Sequence, residues 1–288
     1  MLLRRIIAPI VALGFVVAAA PADVLYFTNE SAGQIEQIAP GGVVTPLVNI
    51  PNPTALAYDP VNNDLYVSVE EPAVSPQFYV IDQVTLSGVI TPLADRFNTI
   101  AAMTFDSHGD LFFTVGGGSI DEISSAGALT TYATGLGIPV GIVCDSGGNV
   151  YAASDSGNYI YSVLPNHQAV EIFHTPGDVS GLTISPTNVL YAASLTNIYE
   201  FTESGSGGAY ATAMSGNFGS LAFGSNDQLF AVNGNAVDVI TDARLSQFAT
   251  ISGFVGQLAD VVPEPRAGLI VLVAAGCAMC RRFRGRVR

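Results

Sequence analysis

The side chains that could act as a base or a nucleophile in this sequence are few and widely separated. The candidate bases are His108, His167 and His174, and the candidate nucleophile is Cys144. A catalytic base must lie within hydrogen-bond reach of the proton it removes, and a cysteine nucleophile needs a neighbouring base. His108 and His167 lie in polar, turn-like segments, whereas Cys144 lies in the apolar segment GIVCD. We therefore expect no shared catalytic centre and a buried, inert Cys144.

Oxygen ligands for a cation occur in three short segments, DPVNND, DSHGD and DSGGN, which begin at Asp59, Asp106 and Asp145. Their closely spaced carboxylate and amide oxygens could bind Ca²⁺, but none matches the 12-residue loop that ends in Glu. The same residue types favour tight turns, because Asp and Asn side chains bond to nearby backbone and Gly accepts positive φ. Turn formation is the favoured interpretation, Ca²⁺ binding is the alternative, and we predict no cofactor.

These turns recur because the chain is built from a repeat. Each full copy has an apolar strand, a polar turn, a second strand that opens with Leu-Tyr, Leu-Phe or Val-Tyr, and two further alternating strands. The opening residues are spaced by 40, 46, 39, 40 and 39 positions: Leu25, Leu65, Leu111, Val150, Leu190 and Leu229. Four short antiparallel strands in about 40 residues predict one blade of a β-propeller.

The two ends of the repeat region predict how the ring closes. The first copy lacks its innermost strand and starts at Leu25, while residues 254–262, FVGQLADVV, follow the last copy and look like an opening strand. We expect this segment to pair beside Leu25, which ties the ring shut and protects a sheet edge. The prediction is an all-β, six-bladed propeller of four-stranded blades over residues 23–262, flanked by apolar helical signal segments.

The segment PVGIVCDSGGNVY, from Pro139 to Tyr151, resembles the repeats of NHL-like and gluconolactonase-like six-bladed propellers. That resemblance implies the fold, and it implies that catalytic members carry carboxylates, Asn or His around the central channel, often with a divalent cation. We place the channel-facing starts of the inner strands at residues 53–54, 99–100, 139–140, 179–180, 218–219 and 255–256. They include Thr54, Thr99 and Ser180 but no Asp, Glu or His. We therefore predict a non-catalytic binding or structural module, with a lactonase-type or lyase-type enzyme as the alternative.

The charge distribution separates the propeller from the two ends of the chain. Residues 23–262 contain Arg96 and Arg244 against 23 acidic residues, a net charge of −21, and the chain has no Lys. Such a surface repels phosphate backbones, which excludes a nucleic acid as the expected partner. The long second spacing comes from residues 70–77, EEPAVSPQ. Glu70 and Glu71 could form an acidic lip at the channel mouth, and a simple loop insertion is the alternative.

The N-terminus has the parts of a secretory signal peptide. Arg4 and Arg5 precede an apolar stretch, and Ala20 and Ala22 form the small-residue cleavage motif. Signal peptidase would cut the 22-residue segment so that the mature chain begins at Asp23. An uncleaved membrane anchor is the alternative, although the apolar stretch is short for a bilayer span.

The C-terminus combines Val262, Pro263, Glu264 and Pro265, an apolar run over residues 267–280, and a basic tail: Arg281, Arg282, Arg284, Arg286 and Arg288. This order closely resembles the PEP-CTERM sorting signal of residues 263–288, although Arg266 stands where small or hydroxyl residues are usual. The resemblance implies an exosortase as partner, transient inner-membrane insertion, and delivery to the surface or exopolysaccharide matrix of a Gram-negative bacterium. The arginines would stay cytoplasmic by the positive-inside rule. A plain C-terminal anchor is the alternative.

Overall fold

A computed structural model describes residues 24–71, 78–213, 217–224, 227–253 and 255–259. The predicted signal peptide with Ala20, Ala22 and Asp23 lies outside the described residues. So do the sorting motif from Val262 to Pro265, the basic tail from Arg281 to Arg288, and the loop over residues 72–77. Within the described ranges, no helix has the length and apolar character needed to cross a membrane.

The described residues form 24 strands in six antiparallel sheets, each of which is one blade of a propeller. The first blade has three consecutive strands of its own: β1 (Leu25–Asn29), β2 (Gln34–Ala39) and β3 (Val43–Asn49). The second blade follows as β4 (Pro53–Asp59), β5 (Asp64–Glu71), β6 (Phe78–Thr85) and β7 (Ile90–Phe97). The third comprises β8 (Met103–Phe105), β9 (Leu111–Val115), β10 (Ser119–Ile123) and β11 (Leu129–Thr134).

The remaining blades repeat the same order from the inner to the outer strand. The fourth comprises β12 (Pro139–Cys144), β13 (Val150–Ser154), β14 (Tyr159–Val163) and β15 (Ala169–His174). The fifth comprises β16 (Val179–Ile184), β17 (Leu190–Ser194), β18 (Asn197–Phe201) and β19 (Gly207–Thr212). The sixth comprises β20 (Phe218–Phe223), β21 (Leu229–Asn233), β22 (Ala236–Thr241) and β23 (Arg244–Thr250), and β24 (Val255–Leu258) ends the described chain.

The ring closes through β24, which pairs antiparallel with β1 and gives the first sheet the order β24-β1-β2-β3. Leu258 lies opposite Phe27, and Val255 lies opposite Asn29. The main-chain N–H of Leu258 also donates to the hydroxyl of Ser220 in the sixth blade, at 3.0 Å. The predicted pairing beside Leu25 is therefore present, and the closing strand contacts both blades at the joint.

The core lies between neighbouring blades, and the repeated marker residues form its centre. All six markers lie in the second strand of a blade and are at most 1% exposed: Leu25, Leu65, Leu111, Val150, Leu190 and Leu229. Phe27 of the first blade packs against Phe230 and Val237 of the sixth in one such layer. Burying an apolar side chain of this size contributes roughly 1.5–3 kcal/mol, so the repeat itself supplies the stabilising contacts.

Two predicted strand boundaries were wrong, and local hydrogen bonds explain both. The third inner strand begins at Met103, not at residues 99–100, because the Thr114 hydroxyl accepts the N–H groups of Ala101 (3.2 Å) and Ala102 (3.0 Å). The long hairpin of the second blade extends through Glu71, which lies opposite Phe78. The first two residues of the predicted loop therefore belong to β5.

Candidate functional site

The strands run between two faces of the propeller, which we name by their connections. The crossover face carries the links between successive blades and the turns between second and third strands, including residues 30–33 and 135–138. The hairpin face carries the turns between inner and second strands, including residues 60–63 and 145–149. Every inner strand starts at the crossover face and ends at the hairpin face, so the channel has one mouth on each face.

At the crossover-face mouth, two hydroxyl groups at the predicted strand starts donate hydrogen bonds to main-chain carbonyls of the propeller. Thr54 donates from Oγ1 to the carbonyl of Ser68 at 3.2 Å. Ser180 is exposed, but its Oγ donates to the carbonyl of Phe218 at 2.6 Å, which links the fifth and sixth blades. A hydroxyl held in this way is a structural bridge, and no base stands beside either group at the predicted strand starts.

Glu70 and Glu71 lie next to each other in β5, but their side chains point to opposite sides of the sheet. Glu70 lies opposite Tyr79, and its charge contributes to a raised pKa of Glu30, after burial as the larger cause. Burial, then Glu70, raises the pKa of Tyr79, while a hydrogen bond with Thr99 opposes the shift. This set of Glu30, Glu70, Tyr79 and Thr99 joins three blades at the crossover face, and sequence spacing alone did not reveal it.

Glu71 instead borders a separate cleft of about 500 Å³ on the second blade, together with Phe78, Asp82 and Asp95. Burial raises the pKa of Asp82, and the charge of Glu71 adds to the shift. The predicted acidic lip is thus divided between two sites. In the ranges that the structure describes, no group of three or more His, Cys, Asp or Glu residues is placed to hold a metal ion.

The acidic turns of the hairpin face use their carboxylates within the turn. Asp145 Oδ1 accepts the N–H groups of Gly147 and Asn149, both at 2.8 Å, and Oδ2 accepts the amide of Asn149 at 2.7 Å. Asp59 accepts the N–H groups of Val61 and Asn62 in the same manner. These contacts support turn formation as the role of the repeated Asp, because the oxygens that a Ca²⁺ ion would need already have donors.

Of the three histidines, His108 forms a hydrogen bond with a carboxylate, that of Asp106. Asp106 Oδ2 lies 2.9 Å from Nδ1 of His108, and this hydrogen bond and the carboxylate charge raise the pKa of the exposed imidazole. His167 contacts the ring of Tyr132, and His174 contacts that of Tyr159. His167 lies in the turn before β15 and His174 is the last residue of β15, so both belong to the fourth blade. Seven positions of a strand still separate these two by roughly 20 Å.

Cys144 ends the inner strand β12 and packs against an apolar cluster that includes Ile142 and Val150. Burial, followed by the charges of Asp106 and Asp145, raises the pKa of its thiol well above the ordinary range. A thiol in this setting stays protonated near neutral pH and is a poor nucleophile. Cys144 is half-buried rather than fully buried as expected, and its environment favours the inert role that the sequence suggested.

A recurring acidic residue in the third strands was missed, although the repeat alignment contains its signal. The residue after the buried Ile or Val is acidic in four blades, and each lies opposite the residue two positions after the marker of its blade: Glu36, Asp82, Asp121 and Asp238. Among the described residues, Glu36 Oε2 and Asp121 Oδ1 are buried without a hydrogen-bond partner. All four lie in the third strands of their sheets, two strands away from the channel.

The channel contains a cavity of about 270 Å³ in its hairpin-face half. Its wall includes the fourth residue of every inner segment, counted from positions 53, 100, 139, 179, 218 and 255. These residues are Leu56, Met103, Ile142, Leu182, Leu221 and Leu258. The described lining residues include Tyr58, Thr104 and Thr183 but no Asp, Glu, Lys, Arg or His. The arrangement can hold a neutral ligand, but these side chains offer no general base and no anionic metal ligand.

Comparison with solved structures shows the fold. A streptogramin B lyase aligns with a TM-score of 0.60 at 15% identity, over 81% of this chain and 84% of the lyase. A catalytically inactive virginiamycin B lyase from Staphylococcus aureus with quinupristin aligns with a TM-score of 0.59 at 17% identity, over 81% and 86%. A gluconolactonase from Xanthomonas campestris aligns with a TM-score of 0.65 at 15% identity, over 74% and 80%.

No protein-family profile matches the chain, and no curated protein matches it. The similarity therefore defines a class by shape alone: a six-bladed β-propeller structurally similar to virginiamycin B lyase and gluconolactonase. Because a propeller fold supports many unrelated functions, the function has to be argued from the residues of this chain.

Proposed function

We propose that this chain is an exported, non-catalytic β-propeller that an exosortase sorts to the cell surface or the exopolysaccharide matrix, where it acts as a binding or structural module. Signal peptidase removes residues 1–22, so that the mature chain begins at Asp23. The C-terminal segment then enters the inner membrane transiently, with its arginines on the cytoplasmic side.

The observation that carries this proposal is the complete C-terminal address of Val262 to Pro265, the apolar run and the basic tail. The described propeller ends just before it, because Ala259 makes the last closing hydrogen bond, to the carbonyl of Tyr26 at 2.9 Å. Cleavage near Pro265 would therefore leave the closing strand intact. A signal that lies beyond the last described contact can be removed while the described contacts of the fold are kept.

The non-catalytic part of the proposal rests on the channel. Thr54 and Ser180 at its crossover face bond to main-chain carbonyls, and its described cavity lining is uncharged. The paired Asp106 and His108 lie in a hairpin-face turn, where Asp106 also accepts the N–H groups of that turn. Neither arrangement joins a base, a substrate pocket and an electrophilic group in one place.

An enzyme of lyase or lactonase type is the second candidate, and the structural similarity to such enzymes is the observation that favours it. Turnover of quinupristin and of gluconolactone, with and without added Ca²⁺ or Mg²⁺, separates the two candidates. We expect no rate above the uncatalysed reaction for either compound. Metal-dependent turnover that tracks the purified chain would establish the enzyme instead.

Sorting is tested by replacing Pro263, Glu264 and Pro265 together with Ala in a host that contains an exosortase. The replaced residues lie beyond the last described contact, so the propeller should fold as before. We expect the variant to stay in the inner-membrane fraction with its basic tail intact, whereas the exposed-site control Glu203→Ala should be processed normally. Release of the triple variant at the normal rate would refute sorting by this motif.

A further inference from the structure

We propose that the hairpin-face half of the channel is a binding pocket for a small neutral molecule with one apolar ring or a short hydrocarbon chain. The proposal rests on the non-catalytic binding role proposed above and names the class of ligand. It starts from the cavity of about 270 Å³ that the six inner strands enclose.

The repeat itself explains why a cavity forms at this level of the channel. The fourth position of each inner strand repeat is Leu, Ile or Met, and Leu56, Met103 and Ile142 are each at most 2% exposed. The fifth position is Ala, Thr or Val in all six copies. The large fourth-position side chains pack in the layers between neighbouring blades, and the fifth position adds only small side chains, so space remains around the axis.

The size of the cavity limits the ligand. An apolar cavity of about 150 Å³ stays dry and accepts benzene, whereas pockets for drug-sized ligands usually exceed roughly 300 Å³. A cavity of about 270 Å³ therefore suits a single substituted ring or an acyl chain of similar volume. Tyr58 and Phe105 are part of the wall near the hairpin face, where they offer aromatic surface.

Charge excludes ions as the favoured ligands. The described lining contains no Asp, Glu, Lys, Arg or His, so an ion would lose its hydration without gaining a partner. The net charge of −21 over residues 23–262 further repels anions. A single hydroxyl or carbonyl on the ligand can be satisfied, because Thr104 and Thr183 supply hydroxyls. Each inner strand is also the edge strand of its sheet on the channel side.

Met103 provides a probe of the pocket because it is one of the lining residues, and its side chain packs directly behind the wall at 2% exposure. The full chain is labelled with ¹³C at its methionine methyl groups, and the Met103 signal is assigned with Met103→Leu. The probes are benzyl alcohol, benzoate and benzylamine, which share one ring and differ in charge. Benzyl alcohol should shift the Met103 signal saturably, with half-saturation near ~1 mM for a ligand of this size.

Two variants test whether the effect on Met103 comes from binding in the pocket. Thr183→Leu adds volume to the pocket and should weaken benzyl alcohol binding at least tenfold, whereas Thr130→Leu on the exposed outer strand β11 should leave it unchanged. If Thr183→Leu does not fold, the comparison of the three probes with the natural chain still decides the question.

Two outcomes would overturn the proposal. One is a Met103 signal that benzyl alcohol leaves unchanged up to its solubility limit. The other is a Met103 signal that benzoate or benzylamine shifts as strongly as benzyl alcohol does. Either result would reject this ligand class without affecting the sorting proposal, which is tested by fractionation, or the absence of catalysis, which is tested by turnover.

Discussion

The main-chain N–H of Ala259 donates a hydrogen bond of 2.9 Å to the carbonyl oxygen of Tyr26. These residues are at opposite ends of the described chain, and their contact continues the pairing of Phe27 with Leu258. Because β24 is the last described element and ends at Leu258, the described ring is complete without any residue of the predicted sorting motif.

Leu258 should be the most sensitive position in the closing strand. It is 2% exposed and belongs to the layer between the first and sixth blades. Leu258→Ala should lower the free energy of unfolding by about 2–5 kcal/mol, because the cavity it leaves cannot collapse fully. Leu129→Ala removes the same atoms from a side chain that is 52% exposed, and it should change stability by less than about 0.5 kcal/mol. Equal effects of the two variants in denaturant unfolding would argue against closure by this strand.

The fold was predictable because its signal repeats. The marker residues from Leu25 to Leu229 lie at nearly constant spacing, and the half-copy at each end indicated how the ring closes. The boundary at Met103 was not predictable, because it depends on the side chain of Thr114 accepting two main-chain donors from the residues just before β8. A single hydrogen-bonding residue of this kind leaves no periodic trace in the sequence.

The candidate site was harder to predict than the fold. Glu30, Glu70 and Tyr79 influence one another at the crossover face, although Glu30 lies in a turn of the first blade and the other two lie in separate strands of the second. Their approach depends on how far the β5–β6 hairpin extends, and the sequence suggested a loop there. The cavity depends on how the six inner strands are arranged around one axis, and the sequence of a single strand does not show that arrangement.

Asp145 should matter for stability through its turn and not through a cation. It is 4% exposed and accepts several hydrogen bonds within residues 145–149. Asp145→Ala leaves those donors without their acceptor and should cost about 1–3 kcal/mol, whereas Asp155→Ala at an exposed turn should cost little. Thermal unfolding with Ca²⁺ or with EDTA should give the same midpoint for the natural chain. A midpoint that rises with Ca²⁺ and loses this response in Asp145→Ala would contradict the turn assignment.

Asp121 should make the propeller less stable as the pH rises. Burial raises the pKa of Asp121 above its ordinary value of 3.8, while hydrogen bonds with Thr131 and Ser119 oppose the shift. Since the folded pKa is the higher one, its stabilising effect is complete below the unfolded pKa and is lost as the pH rises through the folded pKa. Asp121→Asn should therefore stabilise the chain more at about pH 7 than at about pH 3.

The matched control for that pH experiment is Asp155→Asn, which changes an exposed carboxylate. Urea unfolding of both variants at the two pH values gives the comparison. A gain for Asp121→Asn that is the same at both pH values would show that removing the buried charge is not its cause.

The central claim is that this propeller is exported and loses both terminal segments during sorting. Intact mass and terminal sequencing of the protein recovered from the cell surface or matrix test that claim most directly. We expect an N-terminus at Asp23 and a C-terminus close to Pro265, with the apolar run and the arginines from Arg281 to Arg288 removed. A surface protein that retains Met1 or the tail through Arg288 would contradict it.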